Sequence, residues 1–107
     1  MTDHLTSSAP APVIEPVWLV ECTYAPDGAE ARTPFRAEHI RAAAERIADG
    51  RYVEVGAFAD VTSSILIVRA ATEAEAVALV SDDVYLRNGV WVEVRARPFG
   101  RINLAGA

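Results

Sequence analysis

The order of elements along these 107 residues predicts an α+β domain, one four-stranded antiparallel sheet carrying two helices. Three observations support this. Four short stretches, 17–24, 51–58, 64–70 and 90–97, are rich in β-branched and aromatic residues. Two alanine-rich stretches between them open on helix-start signals. The stretches alternate as β-α-β-β-α-β, with a connection between the second and third strands short enough only for an antiparallel return.

Taken in order, Val17-Trp-Leu-Val-Glu-Cys-Thr-Tyr24 is the first strand, broken by the turn chemistry of Ala25-Pro-Asp-Gly28. Thr33 followed by Pro34 predicts a helix start, a hydroxyl cap before proline at the first helical position. That helix stops at Gly50, a C-terminal glycine. Arg51 to Phe58 and Ser64 to Ala70 are the next strands, joined by Ala59-Asp-Val-Thr-Ser63. Thr72-Glu-Ala-Glu75 reads as a capping box opening a second helix, with Ala76, Leu79 and Val80 on one face. Asn88-Gly89 turns into the last strand, where Val90, Val92 and Val94 alternate with Trp91, Glu93 and Arg95 before Pro98 ends it. This is the ferredoxin-like, split βαβ order, and right-handed crossovers put both helices on one face of the sheet. The strands carry apolar residues on both faces, among them Trp18, Val20, Tyr52, Val53, Ile65, Ile67, Trp91 and Val92. One helical layer covers only one face, so a homodimer through the sheet is expected.

Composition narrows the class. A hydrophobic content of 51% with 23% charged residues describes a globular chain. Residues 1–15 read as a polar, Pro-containing, flexible tail, 16–100 as the domain and 101–107 as a C-terminal extension. A net charge of −5, with dispersed arginines and no lysine, argues against nucleic acid as a partner. No stretch reaches the ~20 apolar residues that span a bilayer, and the N-terminus lacks a signal-peptide pattern. The one cysteine, Cys22, lies in an apolar run and reads as a buried thiol in a reducing cytoplasm. Of two histidines, His4 belongs to the tail, so no His-based metal site is expected.

Polar residues on a core-facing stripe are the functional signal. On a helical wheel Ile40, Ala43, Ala44 and Ile47 share one arc of about 100°. Arg36 projects into that arc and His39 lies on its edge. A guanidinium and an imidazole there are costly unless partnered, which points to a polar cavity. Alternatively, Arg36 snorkels over the end of the sheet and His39 is a hydrogen-bonded boundary residue. On the second helix Asp83 continues the buried face, or else is a solvated helix end.

These residues, in their order, resemble a known family. Arg36-x-x-His39, the helix ending at Gly50, Val55-Gly-Ala-Phe58, Thr72-x-x-Glu-Ala76, Asp83-x-Tyr85, Asn88-Gly-Val-Trp91 and Arg97-Pro-Phe99 look like the YciI-like (YCII-related) family, over roughly residues 17 to 100. The resemblance implies a dimeric α+β barrel and an active-site histidine and aspartate, here His39 and Asp83, with Arg36 as the arginine upstream. Similar proteins include a dehydrochlorinase of chloroaromatic breakdown and others encoded beside natural-product or sigma-factor genes. Two departures stand out. Val84 replaces the family's usual proline after the aspartate, which loosens the turn that positions Asp83. Asp60-Val-Thr-Ser-Ser64 replaces a loop that often carries glycines, which alters the pocket rim.

A histidine oriented by a carboxylate suits general acid–base work near neutral pH. Arg36 would anchor a carboxylate or an enolate-like oxyanion. Tyr24 and Tyr85 are candidate hydrogen-bond donors to substrate, or packed rings with wet hydroxyls. Together they suit proton abstraction next to a carbonyl in a small organic substrate, an acid or a natural product: a lyase or isomerase working without cofactor or metal. The alternatives are a non-catalytic dimeric ligand-binding or assembly module, and a cofactor-free oxygenase, since fold alone does not fix function.

Overall fold

The computed structural model describes residues 12–103; the expectations for residues 1–11 and 104–107 lie outside it. Strands β1 (Val13–Tyr24), β2 (Tyr52–Ala57), β3 (Ser63–Val68) and β4 (Trp91–Asn103) form one antiparallel sheet in the order β2-β3-β1-β4. A short helix α1 (Gly28–Ala31) and a 3₁₀ turn (Thr33–Phe35) lead into α2 (Arg36–Ala48). Helix α3 (Glu73–Ser81) and the short α4 (Val84–Arg87) precede β4. The expected β-α-β-β-α-β order is the observed one, with α1 and α4 added.

One core joins both helical crossovers to the sheet. Ala43 from α2, Ala76 and Val80 from α3 and Val84 and Tyr85 from α4 pack with Val20, Cys22, Leu66, Val68 and Trp91. Strand alternation puts Leu19, Ile65 and Ile67 on the opposite face, half-buried, with Glu21, Glu54, Arg95 and Arg97 around them. Among the described residues no helix covers that face.

Several expectations are corrected. Thr33 does not cap α2: Thr33, Pro34 and Phe35 form the 3₁₀ turn, and Phe35 occupies the cap position without a side-chain bond. The inward stripe of α2 is Phe35, His39, Ala42, Ala43 and Arg46, one residue (~100°) around from the expected arc, while Ile40 and Ile47 are exposed. On α3 the Thr72 hydroxyl does accept from the Glu75 amide (3.1 Å), and the Glu75 carboxylate accepts from Ala71. Asp83 is neither a continuation of α3 nor a solvated end: α3 stops at Ser81, and Asp83, extended at φ −68° and ψ 141°, starts α4.

The strands differ at their ends. Pro98 does not end β4; it pairs opposite Trp18, and proline is tolerated there because β4 is an edge strand with free N–H positions on one side. A bulge between Thr23 and Tyr24, opposite Trp91 and Glu93, breaks the expected alternation. It turns Trp91 into the core and leaves Val92 59% exposed. β1 starts at Val13, so residues 13–15 belong to the sheet rather than a tail, and β4 carries 101–103 with it. The five pairs from Val13↔Asn103 to Val17↔Phe99 have no third strand beside them and form a two-stranded ribbon.

Candidate functional site

The site is built where α2, α4 and the ends of β1 and β4 converge. Helix α2 turns His39 inward. The break between α3 and α4 leaves Asp83 at the start of α4, where its carboxylate accepts from the Tyr85 amide at 2.8 Å. Both Asp83 oxygens also stand 2.9 Å from His39 Nδ1. Asp83 is 2% exposed and His39 15%, so the pair is largely screened from water. A carboxylate only accepts, so it holds the proton on Nδ1 and leaves Nε2 as the ring's open position.

Aromatic rings fix the imidazole plane. Tyr85 stacks on His39 at 3.8 Å and 8°, and Trp91 meets the imidazole edge-on at 5.4 Å and 89°. Tyr24 packs against both, 6.2 Å from Tyr85 and 6.4 Å from Trp91. Its hydroxyl accepts from Ser64 at 3.2 Å. The Tyr24 ring is placed by Gly28, where an added Cβ would sit 2.8 Å from a ring carbon.

In front of the imidazole lies a cavity of about 210 Å³. Its walls include Tyr24, Arg36, His39, Tyr85, Trp91 and, unforeseen from the sequence, Arg32. Arg36, His39, Tyr24 and Tyr85 are thus brought to one cavity. Asp83 is not among its walls but sits behind His39, so it reaches the cavity only through the ring. Burial pushes the Tyr85 phenol above its ordinary pKa, opposed by the nearby Arg36 and Arg32 charges. Among the described residues the Trp91 indole nitrogen is buried without a hydrogen-bond partner. Burial also pushes the Cys22 thiol far up, which makes it inert. Among the described residues no group of three potential ligands gathers to hold a metal.

Residues 17–100 match the YCII-related domain, more than half of the chain. The chain belongs to the YCII-related family. No curated protein matches it. Both departures from the family pattern now have a physical setting. Val84 stands at the first position of α4, and the turn before it is held by the Asp83 carboxylate itself, so it is not loosened. In the β2–β3 loop Val61 has φ 57°, the left-handed region glycine favours, held beside Asp60, which accepts from the Thr62 amide and hydroxyl.

Trp91 and Arg32 are the site residues that sequence reasoning missed. Trp91 was hidden by the bulge. Arg32 stands four residues before Arg36, the spacing that puts two side chains on one side of a helical stretch.

Proposed function

We propose that this YCII-related protein is a small acid–base enzyme, a lyase or isomerase acting on a small organic acid without a cofactor. The observation that carries this reading is the His39–Asp83 pair, with Nδ1 bound at 2.9 Å and the ring walling the cavity. Nε2 takes a proton from the carbon beside a substrate carbonyl, and the bonding electron pair moves onto the carbonyl oxygen. Arg36 stabilises that oxyanion or an adjacent carboxylate. Asp83 stabilises the imidazolium so formed. An isomerase returns the proton to another carbon. A lyase expels a leaving group with its electron pair from the next carbon as the double bond forms.

The stacked Tyr85 and edge-on Trp91 support this reading, because a ring held in one plane loses little entropy on reaching its transition state. We place the enzyme in the cytoplasm, since its lone thiol suits a reducing compartment, and no helix among the described residues is long and apolar enough to cross a membrane. We also propose that it works as a homodimer through the uncovered face that carries Leu19, Ile65 and Ile67.

The test is proton wash-in. Small 2-oxo acids are incubated with enzyme in D₂O, and exchange at C3, the carbon beside the keto group, is followed by NMR. His39→Ala should slow it about 10²–10⁴-fold while leaving the fold intact. Asp83→Asn should lose less, because an amide still orients the ring but does not stabilise an imidazolium. Full exchange in His39→Ala would overturn the mechanism. Ligand binding without exchange in the parent would point to the non-catalytic module instead.

A further inference from the structure

We propose that Arg32 and Arg36 form a two-point clamp, so that the cavity takes a single-ring-sized dianion, a dicarboxylate or a carboxylate that develops an enolate. This rests on the reading above and narrows its substrate.

The first argument is ionic. All ten cationic side chains are arginines, in a chain with fifteen carboxylates. Arg46, Arg51, Arg69, Arg87, Arg95 and Arg101 each sit within 4.0 Å of a carboxylate. Among the described residues Arg32, Arg36, Arg41 and Arg97 have no such partner, but only Arg32 and Arg36 of these wall the cavity, which holds no Asp or Glu among its lining residues. In an acidic protein, two guanidiniums left without a counter-ion at one cavity mark a place for an external anion. Two like charges at one cavity repel, so this arrangement costs stability until an anion arrives.

Geometry points the same way. The Arg32 guanidinium carbon lies 6.0 Å from the centre of the Tyr24 ring. Arg32 and Arg36 line the same cavity, beside the Tyr24 and Tyr85 rings, whose centres are 6.2 Å apart. Each planar fork matches one carboxylate in two parallel hydrogen bonds. A cavity of about 150 Å³ holds benzene, so about 210 Å³ suits one substituted ring or an open chain of similar size.

Calorimetry with benzoate and the three benzenedicarboxylates tests the clamp, because it reads binding without turnover. At least one dicarboxylate should bind tenfold or more tightly than benzoate, and added salt should shrink the gap. Arg32→Gln and Arg36→Gln should each bring the ratio close to one. Arg32→Lys, which keeps the charge without the fork, should retain part of it. Equal binding of benzoate and every dicarboxylate would overturn the clamp, as would a preference that survives Arg32→Gln. The two readings fail separately. A dianion preference without His39-dependent wash-in removes only the acid–base mechanism, and wash-in without the preference removes only the clamp.

Discussion

A buried thiol and a buried phenol give this protein an alkaline limit. The Cys22 thiol, ordinarily titrating near 9.0, is pushed up by burial in the folded chain, and Tyr52 is pushed from 10.0 to about 12. Above pH 9.0 the unfolded chain releases the Cys22 proton while the folded chain keeps it, so rising pH favours unfolding. One such group costs about 1.4 kcal/mol per pH unit. Denaturant midpoints should therefore fall between pH 9.0 and 10.0, and more steeply once Tyr52 joins. Cys22→Ala should flatten the first part of that fall; an unchanged slope would exclude the thiol as its cause. Asp83 carries a different load. Its carboxylate both caps α4 and holds His39, so Asp83→Ala should cost about 1–2 kcal/mol in unfolding free energy for the cap, before the freed ring is counted.

At the scale of elements, the start of α4 makes a sharp prediction. Asp83 already has the extended conformation that a residue before proline must adopt, and Val84 occupies the first helical position, which suits proline. Val84→Pro should fold with stability within about 1 kcal/mol of the parent, the lower conformational entropy of the unfolded chain offsetting lost packing. Chemical denaturation measures this, and a loss of several kcal/mol would show that the Val84 side chain matters more than its backbone. The same element shows where sequence reading works and where it stops. Element order was legible because strand composition, the Thr72 cap and Gly50 act locally. Asp83 was read onto α3 because apolar spacing runs on past Ser81, although its capping role was visible in an Asp before an apolar pair. The face of α2 was misread for a physical reason: its inward stripe carries His39 and Arg46, so the burial signal was weakest where the function lies. The bulge at Trp91 comes from pairing across 67 residues, which no local pattern reports.

For the whole molecule, the question is what covers the second face of the sheet. Leu19, Ile65 and Ile67 lie there between Glu21, Glu54, Arg95 and Arg97, and an apolar centre with a charged rim is how protein interfaces are built. Light scattering should give about twice 11.5 kDa at micromolar concentration. Ile65→Asp should yield a monomer or an unfolded chain, through a buried charge without a partner. A stable monomeric parent would remove the dimer. The ribbon of Val13 to Val17 with Phe99 to Asn103 is held at its base by Glu15, which bonds both Arg69 and Arg101. At the other end of the sheet, β2 borders the cavity through Gly56, where an added Cβ would meet no atom within 4 Å. With the sole native thiol sealed in the core, a cysteine substituted at Gly56 would be the one thiol open to reagents. An environment-sensitive fluorophore attached there would brighten or dim as the cavity fills, turning the protein into an optical reporter for screening compounds before any ligand is known.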